Sequence, residues 1–174
     1  ADFLIPDYQR PYAWSEEQCQ TLWDDIFLFS FPDNNYEAFD DNEEYFLGSI
    51  VTYKNENGKS EVIDGQQRLT TLMLMLRAFY DKFESMKDKN SILTRDRIEK
   101  CIWKTDTFGT ADKNTLKIDS EVATDNDKDE FLDLLRTGVV KKGSKSQYVL
   151  NYQFFQKKID EFLQEFPSFF PYLP

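Results

Sequence analysis

At 174 residues the chain can form one domain with a sizeable core, or one domain carrying a small helical extension. Hydrophobic residues make up 40% and aromatics 16%, with 16 Phe and 9 Tyr, which supplies a core and excludes intrinsic disorder. A formal net charge of −11 with no dense Lys/Arg stripe excludes a fragment that grips nucleic acid by bulk electrostatics.

The chain has no histidine, which removes His-based triads and HNH-type nuclease chemistry from these residues. Cys19 and Cys101 lack metal-ligand spacing and read as reduced core or near-core thiols. No apolar run approaches the ~20 residues needed to span a bilayer, and no signal peptide is present in these residues, so a cytoplasmic location is expected. Both ends, at Ala1 and at 169–174, read as cut from a longer protein.

In chain order, Phe3-Leu4-Ile5 is a short strand closed by Pro6. The aromatic segment Asp7 to Trp14 follows, and Pro11 turns Arg10 away from helix, so an ordered extended loop is predicted. Trp14 reads as packing, whereas the Gln9-Arg10 pair has no packing rationale and points to function. Ser15 and Gln18 form a capping box for a helix ending near Phe31-Pro32, whose Leu22, Ile26 and Phe29 face inward, with a Trp14–Cys19 staple beside the cap. Asp33 to Glu44 is rich in carboxylates without a recurring metal-binding spacing and reads as a solvated loop.

Residues 46–53 give the strongest strand signal, followed by a turn at 54–59 and a returning strand at 60–63 that delivers Asp64. Gly48 in the first strand marks either a close backbone or ligand approach or a bulge. A helix from Gln66 to about Lys87 is apolar nearly all round its first half, which predicts a central, buried helix. Asp64 is its expected N-cap, with Gln67 completing a capping box. A second helix is expected from Ser91 or Thr94 to about Lys104, a loop over 105–115, and a strand at Leu116-Lys117-Ile118. Thr124 should cap a helix from Asp125 to Arg136 that Gly138 ends, with Phe131, Leu132 and Leu135 inside. Lys141 to Lys145 is a small solvated basic loop, and a last helix from about Gln147 to Phe166 is stopped by Pro167.

The chemistry concentrates in Asp64-Gly65-Gln66-Gln67-Arg68, with Thr70 and Thr71 in the next turn. Exposed N–H groups and the positive end of the helix dipole coincide there, as an anion site requires, and a nucleotide phosphate is the expected anion.

Two motifs now stand in fixed order: Ile5 to Trp14 (IPDYQRPYAW), and Phe46 to Ile50 (FLGSI) leading into Ile63 to Leu72 (IDGQQRLTTL). Together they resemble the N-terminal domain of the GmrSD family of modification-dependent restriction enzymes, a ParB/sulfiredoxin-like domain. The likeness is specific over residues 3–80 and looser over 116–118 and 125–138. It implies an α+β fold, a small mixed sheet with packed helices, with a ParB/sulfiredoxin-like domain over 1–122 and a helical extension over 123–174. It implies nucleotide binding or hydrolysis at the Asp-Gly-Gln-Gln-Arg turn, coupled to cleavage of foreign modified DNA in phage defence. The implied partners are a nucleoside triphosphate with Mg²⁺ or another divalent cation, a C-terminal HNH-type nuclease domain absent from this chain, DNA through the full-length protein only, and a second copy in a homodimer; no membrane is implied. Gln66 stands about where sulfiredoxins carry their reactive cysteine, which disfavours sulfinic-acid reduction.

Within that reading, Arg68 and the amides after Gly65 neutralise phosphate oxygens, and Gly65 permits close backbone approach. Asp64 caps the helix or holds Mg²⁺ and orients a water, which Gln66 or Gln67 positions. Gln9 and Arg10 complete the cage, Tyr8 or Tyr12 stacks on a base, and Gly48, Ser49, Thr70 and Thr71 join the binding set. Two alternatives stand beside it: a ParB-like metal-dependent nuclease domain, and a non-catalytic interaction domain whose Asp-Gly turn is only a helix cap.

Overall fold

Short apolar strands alternate with longer amphipathic helices along this sequence, and the pattern folds into a mixed sheet on a helical layer. The computed structural model describes residues 2–40 and 42–167. In order, these form β1 (Phe3–Ile5), α1 (Glu16–Ser30), β2 (Val51–Lys54), β3 (Ser60–Asp64), α2 (Gln66–Glu84), α3 (Lys89–Ile102), β4 (Trp103–Thr105), β5 (Ala111–Leu116), β6 (Ile118–Ser120), α4 (Lys128–Thr137) and α5 (Gln147–Glu165).

The main sheet has the order β2-β3-β1-β6. β1 runs parallel to both β3 and β6, while β2 returns antiparallel on β3, so the sheet is mixed as expected of an α+β fold. β4 and β5 pair as a separate antiparallel ribbon.

Helix α2 is the central element: Leu74, Ala78 and Phe83 are almost fully buried, and its flanks pack on α3 and α5. One core cluster joins Ile5 of β1 to Leu74 of α2, Phe131 of α4 and Phe155 of α5. Phe155, Tyr152 and Ile159 of α5 lie inside that cluster, so residues of 123–174 complete the core around α2. No helix among the described residues is long and apolar enough to cross a membrane.

Local signals placed several elements correctly. Ser15 caps α1 with the full capping box to Gln18, and Gly138 ends α4 in the left-handed conformation at φ 71°. Elsewhere tertiary demands override them. The predicted strand 46–53 is β structure only from Val51, in a strand that runs on to Lys54, because Gly48 turns the chain at φ 93° and the Ser49 carbonyl is taken by Arg68. Asp88, not Ser91 or Thr94, caps α3; both of those are buried, and Asp88 accepts from the Ser91 N–H at 2.9 Å.

The expected loop at 105–115 is mostly a hairpin, whose turn is held by Asp106 accepting from the N–H groups of Phe108 and Thr110. The expected strand 116–118 is a junction, with β5 ending at Leu116 and β6 starting at Ile118. Helix α4 starts at Lys128 rather than Asp125, because the Asp125 side chain is committed to the loop after β1. Cys19 is buried, but Cys101 is exposed rather than near the core. The acidic segment contains short 3₁₀ turns at Pro32–Asn34 and Tyr36–Ala38 in an exposed stretch; Asp41 and the 168–174 end lie outside the described residues.

Candidate functional site

Because β3, β1 and β6 are parallel, their C-terminal ends emerge on one edge of the sheet. Ligands of open α/β sheets bind at that edge. Here it delivers three segments to one place: the Asp64–Arg68 turn after β3, the 7–14 loop after β1, and the 121–127 segment after β6. The Glu121 and Ala123 amides bond back to the carbonyls of Ile5 and Asp7 at 2.8 and 3.1 Å, tying the third segment to the second.

The start of α2 differs from the expected cap. Gly65 is the N-cap residue, at φ 85°, and no side chain caps the helix. A Cβ at Gly65 would lie 2.8 Å from the Ser49 carbonyl oxygen, so only glycine fits both the conformation and the space. Asp64 Oδ1 accepts from the Gly65 N–H at 2.8 Å. The first intrahelical bond runs from Leu69 N–H to the Gly65 carbonyl at 2.9 Å, so the amides of Gln66, Gln67 and Arg68 precede the ladder, as at any helix N-terminus.

Gln67 does not form a capping box with Asp64. Its carboxamide accepts from the Ala13 N–H at 2.8 Å and donates to the Pro11 carbonyl at 3.0 Å, clamping the loop at both ends of one side chain. Gln66 donates to the Arg10 carbonyl at 3.3 Å, and Gln9 reaches back to the carbonyls of Val62 and Ile63 at 3.1 and 2.9 Å. Gln66 and Gln67 are buried, so these bonds offset the desolvation that a buried amide would otherwise suffer.

Arg68 is oriented differently. Its Nη1 donates to the Ser49 carbonyl at 2.8 Å, and its guanidinium lies against Gly48, where a Cβ would come within 2.5 Å of the guanidinium carbon. Arg10 is exposed across the same cleft, and neither arginine takes part in an ion pair among the described residues. The cleft has a volume of about 410 Å³, within the range of small-molecule sites. Its walls are Gln9, Arg10 and Trp14 from the loop, Ile63 and Asp64 from β3, and Gly65 to Arg68. A separate gap of about 220 Å³ under α1, bounded by Trp23, Phe27, Phe79 and Phe162, contains no ionisable side chain and reads as a packing defect.

The fold thus brings Gln9, Arg10, Asp64, Gly65, Gln66, Gln67 and Arg68 together. Gly48 and Ser49 act from behind, as the seat of Arg68. Tyr8 is exposed and does not line the cleft. Thr70 and Thr71 are buried on the core side of α2, and the Thr71 hydroxyl donates to the Gln67 carbonyl at 2.8 Å. Tyr12 is not a base platform: it is buried, stacked on Tyr148 at 4.7 Å and bonded to Thr71 at 2.8 Å, and burial pushes its hydroxyl pKa far upward.

Sequence reasoning missed Trp14 as a cleft wall, because an aromatic beside a helix cap reads as packing; it does both. It also missed Asp125, Tyr148 and Asn151, which hold the loop from below. Among the described residues no group of three Asp, Glu or Cys forms a self-sufficient metal site, and Asp64 is the one carboxylate of the cleft wall.

No curated protein matches this chain. The family model of the GmrSD restriction endonuclease N-terminal domain matches residues 1–172, so both motifs, the sheet edge they meet on and the helices behind it lie within the match. The chain belongs to the GmrSD N-terminal domain family of restriction endonucleases.

Proposed function

We propose that the cleft binds the phosphates of a nucleoside triphosphate together with Mg²⁺, and that the domain is the nucleotide-hydrolysing regulatory part of a modification-dependent restriction protein in phage defence. One observation carries the reading: Arg10 and Arg68, without carboxylate partners among the described residues, face one cleft beside a helix N-terminus, in a chain of net charge −11. Leaving two cations without counter-ions on an acidic protein is expected where an anion supplies them. The ParB/sulfiredoxin kinship of the sheet belongs to the same proposal.

In this reading Arg68 forks onto phosphate oxygens, the amides of Gln66 to Arg68 add donors, and Arg10 closes the cage from the loop. Asp64 would hold Mg²⁺ through the oxygen not engaged by Gly65, in keeping with the habit of Mg²⁺ of binding one or two carboxylates plus substrate phosphates. The ion would neutralise charge on the phosphates as the terminal bond breaks. Gln66 is the better candidate to orient the attacking water, because both ends of the Gln67 amide already hold the loop. DNA cleavage falls to a C-terminal HNH-type domain of a longer protein, since these residues contain no histidine.

A second reading, a purely structural domain, draws support from the three glutamines, whose bonds are explained by holding the loop alone. A thermal-shift panel of nucleotides with and without Mg²⁺ separates the two. A bound nucleotide stabilises by mass action, about 2.7 kcal/mol at a hundredfold excess over Kd. A melting temperature that no nucleotide raises would leave the structural reading standing.

A further inference from the structure

Six consecutive residues of the first loop, Gln9 to Trp14, each carry a tether. Gln9 is bonded to β3, the Arg10 carbonyl to Gln66, and the Pro11 carbonyl and Ala13 amide to Gln67. The Tyr12 amide is bonded to Asp125, its hydroxyl to Thr71 and Asn151, and the Trp14 carbonyl to Asn151. The one charged side chain in this run, the guanidinium of Arg10, has no partner among the described residues and lines the cleft. A loop held at every residue except its cation is a holder for that cation.

Three of the bonds in the holder come from residues of 123–174, outside both sequence motifs: one from Asp125 and two from Asn151. Asn151, on α5, is 1% exposed and fully bonded. Its Nδ2 donates to the Tyr12 hydroxyl and to the Trp14 carbonyl, both at 2.8 Å, and its Oδ1 accepts from Gln147 at 2.9 Å. A carbonyl can only accept, so the Trp14 contact fixes which end of the amide is nitrogen. The Thr71 proton goes to the Gln67 carbonyl, so Tyr12 must donate to Thr71 and accept from Asn151. The hydrogen bonds therefore run in one sense from α5 through Tyr12 to the first turn of α2. Beside them, Asp125 Oδ2 accepts from the Tyr12 amide at 3.4 Å and the Tyr148 hydroxyl at 2.5 Å, and the Tyr148 ring lies between those of Tyr12 and Phe131.

We propose that Asn151, with Tyr148 and Asp125, is a positioning residue of the nucleotide site: it holds the Gln9–Trp14 loop so that Arg10 faces the phosphates. This rests on the function proposed above only for the identity of the anion. The holding of the loop is a property of the apo protein and can be measured without any ligand.

The test uses Asn151→Asp, which keeps size and burial but replaces two donors with acceptors, and Tyr148→Phe, which removes one hydroxyl and keeps the ring stack. Hydrogen exchange on the whole chain should show the bonded amides of Tyr12 and Ala13 exchanging about tenfold faster or more in both variants, with the centre of α2 unchanged. Triphosphate affinity should fall about tenfold, and the fall should vanish when Arg10→Ala is already present, as coupled residues require. Unchanged exchange at Tyr12 and Ala13 in both variants overturns the proposal, as does a loss of affinity that simply adds to that of Arg10→Ala. If the wild type binds no triphosphate, the nucleotide reading falls, and the exchange result still decides whether Asn151 holds the loop.

Discussion

Helix α2 carries two arginines nine positions apart, and their surroundings are opposite. Arg77 is 4% exposed, pairs with Asp81 at 3.0 Å, and has its guanidinium carbon 4.9 and 5.1 Å from the ring centres of Tyr80 and Trp103. Gly138 lies so close that a Cβ there would collide with it. Arg68 has a backbone carbonyl, a glycine to lie on, and an open cleft in front. The first is a cation neutralised by the fold; the second is a cation the fold orients and leaves unneutralised. The difference is invisible in the sequence, where each is an Arg in an amphipathic helix, and it separates a cation paired by the fold from one left open to the cleft.

The largest expected effect breaks the comparison on the structural side. Arg77→Ala strands the largely buried Asp81 beside Tyr152 and should cost about 3 kcal/mol of stability in chemical denaturation, with triphosphate affinity of the folded protein unchanged within about twofold. Arg68→Ala should do the reverse. Its stability should stay within about 0.5 kcal/mol of wild type, while affinity drops by about 1.5–3 kcal/mol, the range for a charged hydrogen bond. If Arg68→Ala destabilised the protein as much as Arg77→Ala, the contrast between the two arginines would be wrong.

Gly48→Ala sharpens the comparison further. A Cβ there presses on the Arg68 guanidinium and forces a residue with a side chain to φ 93°, so it should cost about 1 kcal/mol and weaken binding by displacing Arg68 alone. The smallest effect concerns Cys19, whose thiol is pushed up to about 12 by burial beneath the loop. The folded thiol keeps its proton after the unfolded one, near its ordinary value of 9.0, has lost it, so nothing changes at neutral pH and stability should fall progressively as pH rises between those values. Alkylation at pH 8 followed by mass spectrometry should label exposed Cys101 and spare Cys19; equal labelling would mean the loop does not stay closed over the core.

Signals contained within a few residues were readable: the Ser15 capping box, the Gly138 terminator and the buried face of α2. The convergence of the two motifs was readable, and the cleft unites Arg10 with Asp64 to Arg68. What failed is non-local. Asp64 looks like a cap until the backbone of Ser49 is seen against Gly65, and Gln67 looks like half of a capping box until the first loop arrives. The polar hairpin of β4 and β5 hides because Asp112, Lys113 and Asn114 of β5 are exposed one after another, so the strand lacks an alternating pattern. Asn151 acts across 139 residues of sequence, a separation at which no local rule operates.

The most direct measurement is calorimetric titration of Mg²⁺-nucleoside triphosphates into the wild type and into Arg10→Ala/Arg68→Ala, with both proteins first shown to be folded. Saturable binding by the wild type and a loss of about a hundredfold or more in the double variant is the predicted result, two charge-assisted contacts having gone. Equal affinities in the two proteins would contradict the claim that these arginines form a phosphate site.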